Sequence, residues 1–322
     1  MENYGLDMKG NTQIESISTL PTWAAADERR VIYVADEDRV YYGSATKWEH
    51  FVNNSYYVGE HNKGWLKRPK FEWVNSTTID IYPGAYHYEG NGTTPSESIL
   101  YWNDKLTFVL GKTATGGSNN SSEALGNNQW HFIFLHAASI NTHGSSELNE
   151  TCFINSASAP PSLLTTGGYG IYYGTSRAIF AIKTDGSGNI LEFFQVGDYI
   201  QFATPLTILA TYSLAGGTWE SPATDLNLPL ISNVNLKVQT SWQGVYYNLT
   251  GGFYCRPNGQ TEDSIYSGVR MGMVSPTNTT FNTNVGLIAG IDGKIEIRYS
   301  GSGSEFSYIY LYEDGWYLPD GM

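Results

Sequence analysis

Charged side chains are scarce in this chain of 322 residues, and basic ones are the scarcest. Lys and Arg together number 18 against 31 Asp and Glu, which leaves a formal net charge of −13 at pH 7. A surface that binds nucleic-acid phosphates or anionic lipid headgroups needs the opposite sign. The composition therefore argues against a nucleic-acid partner and against binding to an anionic membrane surface.

Cysteine, long apolar runs and helical periodicity are also lacking. Cys152 and Cys255 are too few for a disulfide framework or a four-thiolate zinc site, and their apolar neighbours indicate buried free thiols. The first ten residues have neither a basic region nor an apolar stretch, so no secretory signal is expected. No run reaches the roughly 18 apolar residues of a membrane helix. We therefore expect a protein made in a cytoplasm, without membrane insertion.

Local signatures of catalysis and of cofactor or metal binding are missing as well. The stretch 110–113 (LGKT) lacks the earlier glycine of a phosphate-binding loop, and the stretch 185–189 (DGSGN) lacks the ligand spacing of a calcium loop. The patterns HExxH, GxSxG and CxxC do not occur. Two carboxylates would suffice to cleave a polysaccharide, but no spacing selects a pair. The sequence predicts no cofactor, no metal and no enzyme activity.

In place of charge the chain has 35 Gly, 24 Tyr and 9 Trp. Tyr favours pleated strands and Gly supplies turns. Turn signals recur about every ten residues, which is typical of a sandwich or jelly roll. The stretch 130–137 (WHFIFLHA) is apolar on both faces and predicts a central strand, while 185–189 predicts a hairpin tip. We expect an all-β fold with one large antiparallel, jelly-roll-like β-sandwich.

Aromatic residues next to turns are candidate glycan contacts, because aromatic faces stack on sugar rings and supply rigid, amphipathic contact area. The candidates are Tyr86, His87, Tyr88, Trp102, Tyr172 and Tyr173. The alternative is that these side chains fill a sandwich core or a subunit interface. Composition and spacing leave both interpretations open.

The last predicted strand is apolar on both faces. Phe306, Tyr308, Tyr310 and Tyr312 share one face, and Ile309 and Leu311 occupy the other. Such a strand is buried on both sides, either inside a sandwich or against another subunit. This pattern favours an oligomer.

The stretch 29–49 (RRVIYVADEDRVYYGSATKWE) resembles a hairpin module near the N-termini of many tailed-bacteriophage structural proteins. Two β-prone runs flank an acidic turn, and Trp48 follows a second polar turn. Such a hairpin is too small to be stable alone. The stretches 82–90, 100–108, 129–136, 152–160 and 177–194 resemble phage virion-appendage proteins. The ending 294–316 (KIEIRYSGSGSEFSYIYLYEDGW) is similar to the last strands of trimeric fibre and adhesin domains.

The resemblance implies a virion component, a homotrimeric tail fibre, tail tip or head fibre protein, made in the host bacterial cytoplasm. It implies contacts with other virion proteins through the N-terminal region and with a host surface glycan or receptor. We accordingly expect an attachment arm over 1–20, a β-hairpin attachment and trimerisation module over 21–58, and a display and receptor-binding sandwich over 59–322. Alternatives are a capsid decoration or collar protein and a polysaccharide depolymerase. No family motif assigns a catalytic or binding residue.

Overall fold

A computed structural model of the chain divides into two compact units, Met1–Gly59 and Glu60–Met322. The residues that it describes are 15–19, 21–22, 24–27, 31–34, 39–43, 48–50, 65–88, 98–111, 119, 121–158, 160–163, 170–210, 219, 223–246, 249–260, 269–275, 279–299 and 306–322. Most of the expected arm, 1–20, therefore lies outside the described residues. The roles expected for the segments 1–20 and 21–58 stay predictions.

The smaller unit contains a four-stranded sheet in the order β1-β2-β3-β4. Its strands are β1 Glu15–Ile17, β2 Val31–Val34, β3 Arg39–Gly43 and β4 Trp48–His50. β2 and β3 pair antiparallel, with Val31 opposite Tyr42, as the hairpin pattern predicts. β1 adds to β2 in parallel, and β4 adds antiparallel to β3. The hairpin is thus the central pair of a larger sheet, and additional strands are what an isolated hairpin needs to become stable.

The larger unit is built of strands with one short α-helix in its described part. In chain order the strands are β5 Trp65–Lys67, β6 Phe71–Asn75, β7 Thr78–Ile81, β8 Gly84–Tyr88, β9 Ser98–Trp102, β10 Leu106–Val109, β11 Trp130–Leu135, β12 Phe153–Ser156, β13 Ser162–Leu163, β14 Ile171–Tyr173, β15 Ser176–Lys183, β16 Phe193–Val196, β17 Tyr199–Leu209, β18 Thr224–Asp225, β19 Lys237–Tyr246, β20 Leu249–Pro257, β21 Val269–Ser275, β22 Thr279–Ile288, β23 Lys294–Tyr299 and β24 Phe306–Tyr317. The helix is α1 Ala137–His143.

These strands form antiparallel sheets, so the all-β, sandwich-like fold expected from the sequence is confirmed. The strand orders are β10-β7-β6, β5-β8-β9, β12-β11-β15-β14-β13, β16-β17-β24-β19-β22 and β18-β23-β20-β21. β11 lies between β12 and β15 and is buried on both faces, as its apolar run predicts. The expected tip at 185–189 is also found, because Asp185 Oδ1 accepts hydrogen bonds from the backbone N–H groups of Ser187 and Asn189 at 2.8 and 2.9 Å.

The core is rich in aromatic side chains. Phe71 and Phe180 stack with ring centroids 4.0 Å apart, and Trp102 meets Phe153 edge-on at 5.2 Å. Both cysteines are buried and free, as expected. The helix α1 is one feature that the strand pattern did not predict. It ends at Gly144, whose positive φ of 70° lets its N–H reach the carbonyl of Ile140.

Candidate functional site

The aromatic candidates from the sequence are mostly core residues, because four of the six are buried. Tyr86 and Tyr88 on β8, Trp102 on β9 and Tyr172 on β14 expose at most 4% of their surface. Two of them donate to backbone carbonyls: Trp102 Nε1 donates to the Tyr82 carbonyl at 2.7 Å, and the Tyr88 hydroxyl donates to the Thr175 carbonyl at 2.7 Å. A ring buried in this way cannot stack on a sugar.

Two of these rings enclose the buried guanidinium of Arg177 on β15. Its Cζ atom lies 4.9 Å from the ring centroid of Tyr86 and 5.5 Å from that of Tyr172. The guanidinium also donates to the carbonyl of His87 at 2.6 Å and to that of Gly321 at 2.9 Å. Arg177 therefore ties β8, β14 and the end of the chain together, and the aromatic cluster serves packing.

The remaining two candidates differ in exposure. His87 is half-buried on β8, between the core residues Tyr86 and Tyr88. Tyr173, at the end of β14, exposes 48% of its surface and contacts Phe134 with ring centroids 6.4 Å apart. Of the six candidates, Tyr173 alone presents a large part of its ring to solvent.

The five-stranded sheet β16-β17-β24-β19-β22 has a second aromatic surface, which we call the tyrosine–amide face. Successive strand residues point to opposite sides of a sheet, and on β24 the side chains of Ile309 and Leu311 are buried. The pairing of β24 with β19 shifts by one residue between Glu313 and Gly315, and Trp316 is buried as well. The opposite side carries half-buried tyrosines together with amide and hydroxyl side chains. The tyrosine–amide face consists of Tyr199, Gln239, Ser241, Gln243, Asn282, Asn284, Tyr310, Tyr312, Asp314 and Tyr317, with the exposed apolar side chains of Val196 and Ile288 at its edges.

Strand register places these side chains in rows across the sheet. Tyr312 lies opposite Ser241, which lies opposite Asn284, and Tyr310 lies opposite Gln243. The rings of Tyr310 and Tyr312 are nearly parallel, 14° apart, with centroids 6.1 Å apart. Tyrosine rings thus run along β24 and amide side chains lie on the neighbouring strands. The side chains of Phe306 and Tyr308, which the sequence assigns to the same face, lie outside the described part.

A cleft of about 440 Å³ continues this face at the end of β24, and we call it the Lys237 cleft. It is lined by Leu163, Asn233, Val234, Asn235, Lys237, Tyr317, Leu318, Pro319 and Asp320. The Lys237 ammonium lies 4.4 Å from the centroid of Tyr317, whose ring lies 4.9 Å from that of Tyr199. Exposed amide and ammonium groups, one carboxylate and apolar side chains therefore converge around an aromatic ring.

Charge on the tyrosine–amide face is limited and partly neutralised. Asp314 on β24 accepts a hydrogen bond from the Ser241 hydroxyl, and partial burial raises the pKa of its carboxyl. Burial, with the Asp314 charge as a smaller cause, raises the pKa of Tyr199 to about 12, so its hydroxyl stays protonated at neutral pH. Neutral hydrogen-bonding groups dominate this face, which suits an uncharged polar ligand.

A second groove, of about 580 Å³, lies along α1 and is lined by hydroxyl, amide and imidazole groups. His136 Nδ1 lies 2.8 Å from Ser139 Oγ, and Asn119 Nδ2 donates to the same oxygen at 2.9 Å. In the part of the chain that the structure describes, no carboxylate hydrogen-bonds to His136. The contact joins the residue before α1 to its first turn, so we interpret it as a local contact that stabilises the helix start.

The described residues contain no cluster of three or more His, Cys, Asp or Glu side chains that could hold a metal ion. Nor do they include a helix long and apolar enough to cross a membrane.

Comparison with known proteins identifies no family for this chain. No family model and no curated protein matches it. Among solved structures, an exo-inulinase from Aspergillus awamori aligns over 91% of this chain and 67% of its own, at 9% identity and a TM-score of 0.16. A likeness of that size carries no argument about fold or function. The tyrosine–amide face is therefore identified as a candidate site from its geometry alone.

Proposed function

We propose that this chain is a trimeric bacteriophage appendage protein, of the tail or head fibre type, that binds a host surface glycan through the tyrosine–amide face. The observation that carries the proposal is the two-sided strand β24. Its Ile309, Leu311 and Trp316 side chains pack into the core, while Tyr310, Tyr312 and Tyr317 lie on the opposite face. A sheet that turns tyrosines outward over a row of amides has the composition of a sugar-binding surface.

The chemistry of the face matches that of a sugar. A pyranose has apolar C–H faces, which pack on aromatic rings, and a rim of hydroxyl groups that donate and accept hydrogen bonds. Tyr rings supply the first contact, and the Gln, Asn and Ser side chains on β19 and β22 both donate and accept. A phosphate-rich ligand would need several cations, whereas Lys237 is the cation that this face and its cleft present among the described residues.

The appendage part of the proposal rests on the resemblance of the N-terminal stretch and on the separate small sheet. The four-stranded sheet of the unit Met1–Gly59 would contact other virion proteins and neighbouring subunits. The larger unit would carry the glycan-binding face. This arrangement assigns attachment and recognition to different parts of the chain.

Binding of purified protein to polysaccharide-bearing bacterial cells tests the proposal. We expect Tyr312→Ala combined with Tyr317→Ala to weaken binding about tenfold or more, since tenfold corresponds to about 1.4 kcal/mol and two aromatic contacts are lost. Val74→Ala is the control, because it shortens an exposed side chain on a different sheet. Enzymatic removal of the surface polysaccharide is expected to abolish binding by the unchanged protein.

Two outcomes would contradict the proposal. Undiminished cell binding by the double variant would show that the face is not the binding surface. Dissociation of the oligomer by the same variant, with binding per subunit unchanged, would show instead that the face is a subunit interface, as in a capsid decoration or collar protein.

A further inference from the structure

The Lys237 cleft differs in chemistry from the rest of the tyrosine–amide face, because its lining combines apolar and charged or amide side chains. Leu163, Val234 and Pro319 are half-buried apolar side chains on its wall. Asn233, Asn235, Lys237 and Asp320 are exposed, and together they offer amide and ammonium donors and carbonyl and carboxylate acceptors. A ligand group that fills such a cleft needs a small apolar end, one donor and one acceptor.

Three segments form the cleft, and hydrogen bonds hold them in place. The backbone N–H of Ser232 donates to the Pro161 carbonyl at 2.9 Å, which joins the loop before β19 to the segment leading into β13. Arg68 donates to the Pro319 carbonyl at 2.7 Å and pairs with the Asp198 carboxylate at 2.5 Å. The Leu318 N–H donates to the Asp198 carbonyl at 2.8 Å. The site is preformed, which lowers the entropy that binding costs.

We infer that the Lys237 cleft binds the 2-acetamido group of an N-acetylhexosamine. The acetamido group combines a methyl, an N–H and a carbonyl, which is the set that the cleft can satisfy. The methyl would pack on the Val234 and Leu163 side, the carbonyl would accept from Asn235 or Lys237, and the sugar ring would extend over the adjoining part of the tyrosine–amide face. The inference rests on the proposed function and specifies the sugar class that the face recognises.

Two other sugar classes suit the cleft less well. An acidic sugar would pair with Lys237 but would lie beside the Asp320 carboxylate, on a chain of net charge −13. A plain hexose would place a hydroxyl against the apolar wall, where burying a hydroxyl without a hydrogen-bond partner is unfavourable. The acetamido group avoids both costs.

Ligand-observed NMR titration with two matched monosaccharide pairs tests the inference. The pairs are N-acetylglucosamine against glucose and N-acetylgalactosamine against galactose, each added to the full chain. We expect one acetamido sugar to bind about tenfold tighter than its hydroxyl counterpart, because the site's polar groups stay unpaired with the latter. Saturation transfer from the protein is expected to be strongest at the acetamido methyl protons.

Variants of the cleft locate the effect. Val234→Asp is expected to reduce the acetamido preference from about tenfold to about onefold, because a carboxylate replaces the apolar contact for the methyl. Asn235 is exposed, so Asn235→Ala is expected to leave the fold unchanged. This variant is expected to weaken binding of the acetamido sugar without changing binding of its hydroxyl counterpart. Ile291→Ser is the control, since Ile291 exposes 61% of its surface and does not line the cleft.

The results separate this inference from the proposed function. The two sugars of each pair could bind with equal affinity while the Tyr312 and Tyr317 double variant still loses cell binding. That result would overturn the inference about the acetamido group but would support the glycan-binding face. An acetamido preference that survives both cleft variants would also overturn it. If none of the four sugars binds and the double variant binds cells as well as the unchanged protein, both the inference and the proposed function are overturned.

Discussion

Replacing Glu313 with Gln is expected to change how the stability of this protein depends on pH. Glu313 lies on β24, opposite Thr240 of β19, and its side chain is fully buried. Neither carboxyl oxygen has a hydrogen-bond partner among the described residues. Burial raises the pKa of this carboxyl well above its usual value of 4.5, and the nearby Lys183 charge opposes that shift only in part.

The direction of the effect follows from where the proton is held. Between the usual pKa of 4.5 and the raised value, folded protein keeps a proton on Glu313 that the unfolded chain has lost. The unfolding free energy therefore falls as the pH rises through this window, by up to about 1.4 kcal/mol per pH unit for one proton. Below pH 4.5 the carboxyl is protonated in both states, and its contribution is fully present.

Two variants distinguish the cost of ionising Glu313 from the cost of leaving its carboxyl oxygens without hydrogen-bond partners. Glu313→Gln cannot ionise, so it is expected to match the unchanged protein near pH 5 and to exceed its stability increasingly towards pH 8, at about 1.4 kcal/mol per pH unit or less. Glu313→Met keeps a similar length but has no oxygen atoms to leave unpaired, and it is expected to gain about 1–3 kcal/mol even near pH 5. Lys183 retains its hydrogen bonds to Asn128 and Asn227 in both variants.

Urea unfolding of the three proteins, followed by tryptophan fluorescence at several pH values between about 5 and 8, measures these differences directly. Groups elsewhere in the chain titrate equally in all three proteins. The difference in unfolding free energy between a variant and the unchanged protein therefore reports on position 313. The reasoning would be refuted by a difference between the Gln variant and the unchanged protein that stays constant across this range. That result would mean that the folded state ionises Glu313 as readily as the unfolded chain does.

Three further expectations concern the core. Arg177→Met is expected to lower the unfolding free energy by about 2–4 kcal/mol in urea titrations, because the carbonyls of His87 and Gly321 lose buried donors; an unchanged midpoint would contradict this account. Gly315→Ala is expected to destabilise by about 3 kcal/mol or more in thermal melts, since a Cβ there would lie 2.0 Å from the Ile200 carbonyl oxygen; a Tm equal to that of the unchanged protein would disprove the close approach. Cys255, with its pKa raised by burial to about 12, is expected to react with a thiol reagent only after unfolding; rapid labelling of the native protein would contradict its burial.

The strand content of the fold was predictable because it is local in the sequence. The apolar run of β11 identified a central strand, and the turn residues from Asp185 to Asn189 identified a tip. The two-sided pattern of β24 was also readable, since Leu311 and Tyr312 point to opposite faces. Each of these features depends on alternation or on turn chemistry, which a short window contains.

The location of the candidate site was not predictable in the same way. Tyr86 and Tyr172 look like surface aromatics because turn residues follow them, yet both pack around Arg177, which is distant from Tyr86 in sequence. Conversely, Lys237 and Tyr317 meet only because β19 pairs with β24. Which aromatic is buried depends on sheet pairing and on buried polar partners, and these are properties of the assembled structure.

The alternation along β24 determines which positions of this strand can accept substitutions during evolution. From Ile309 to Glu313 every second position faces the core, where Ile309 and Leu311 tolerate little variation because close packing penalises altered volume. The intervening positions, Tyr310 and Tyr312 among them, are half-buried on the outward side, where substitutions leave the packing of the core unchanged. If this face binds a glycan, as we propose, its ligand preference can change at alternate residues of one strand while the core positions stay the same. New specificities would then need single substitutions and no rebuilding of loops.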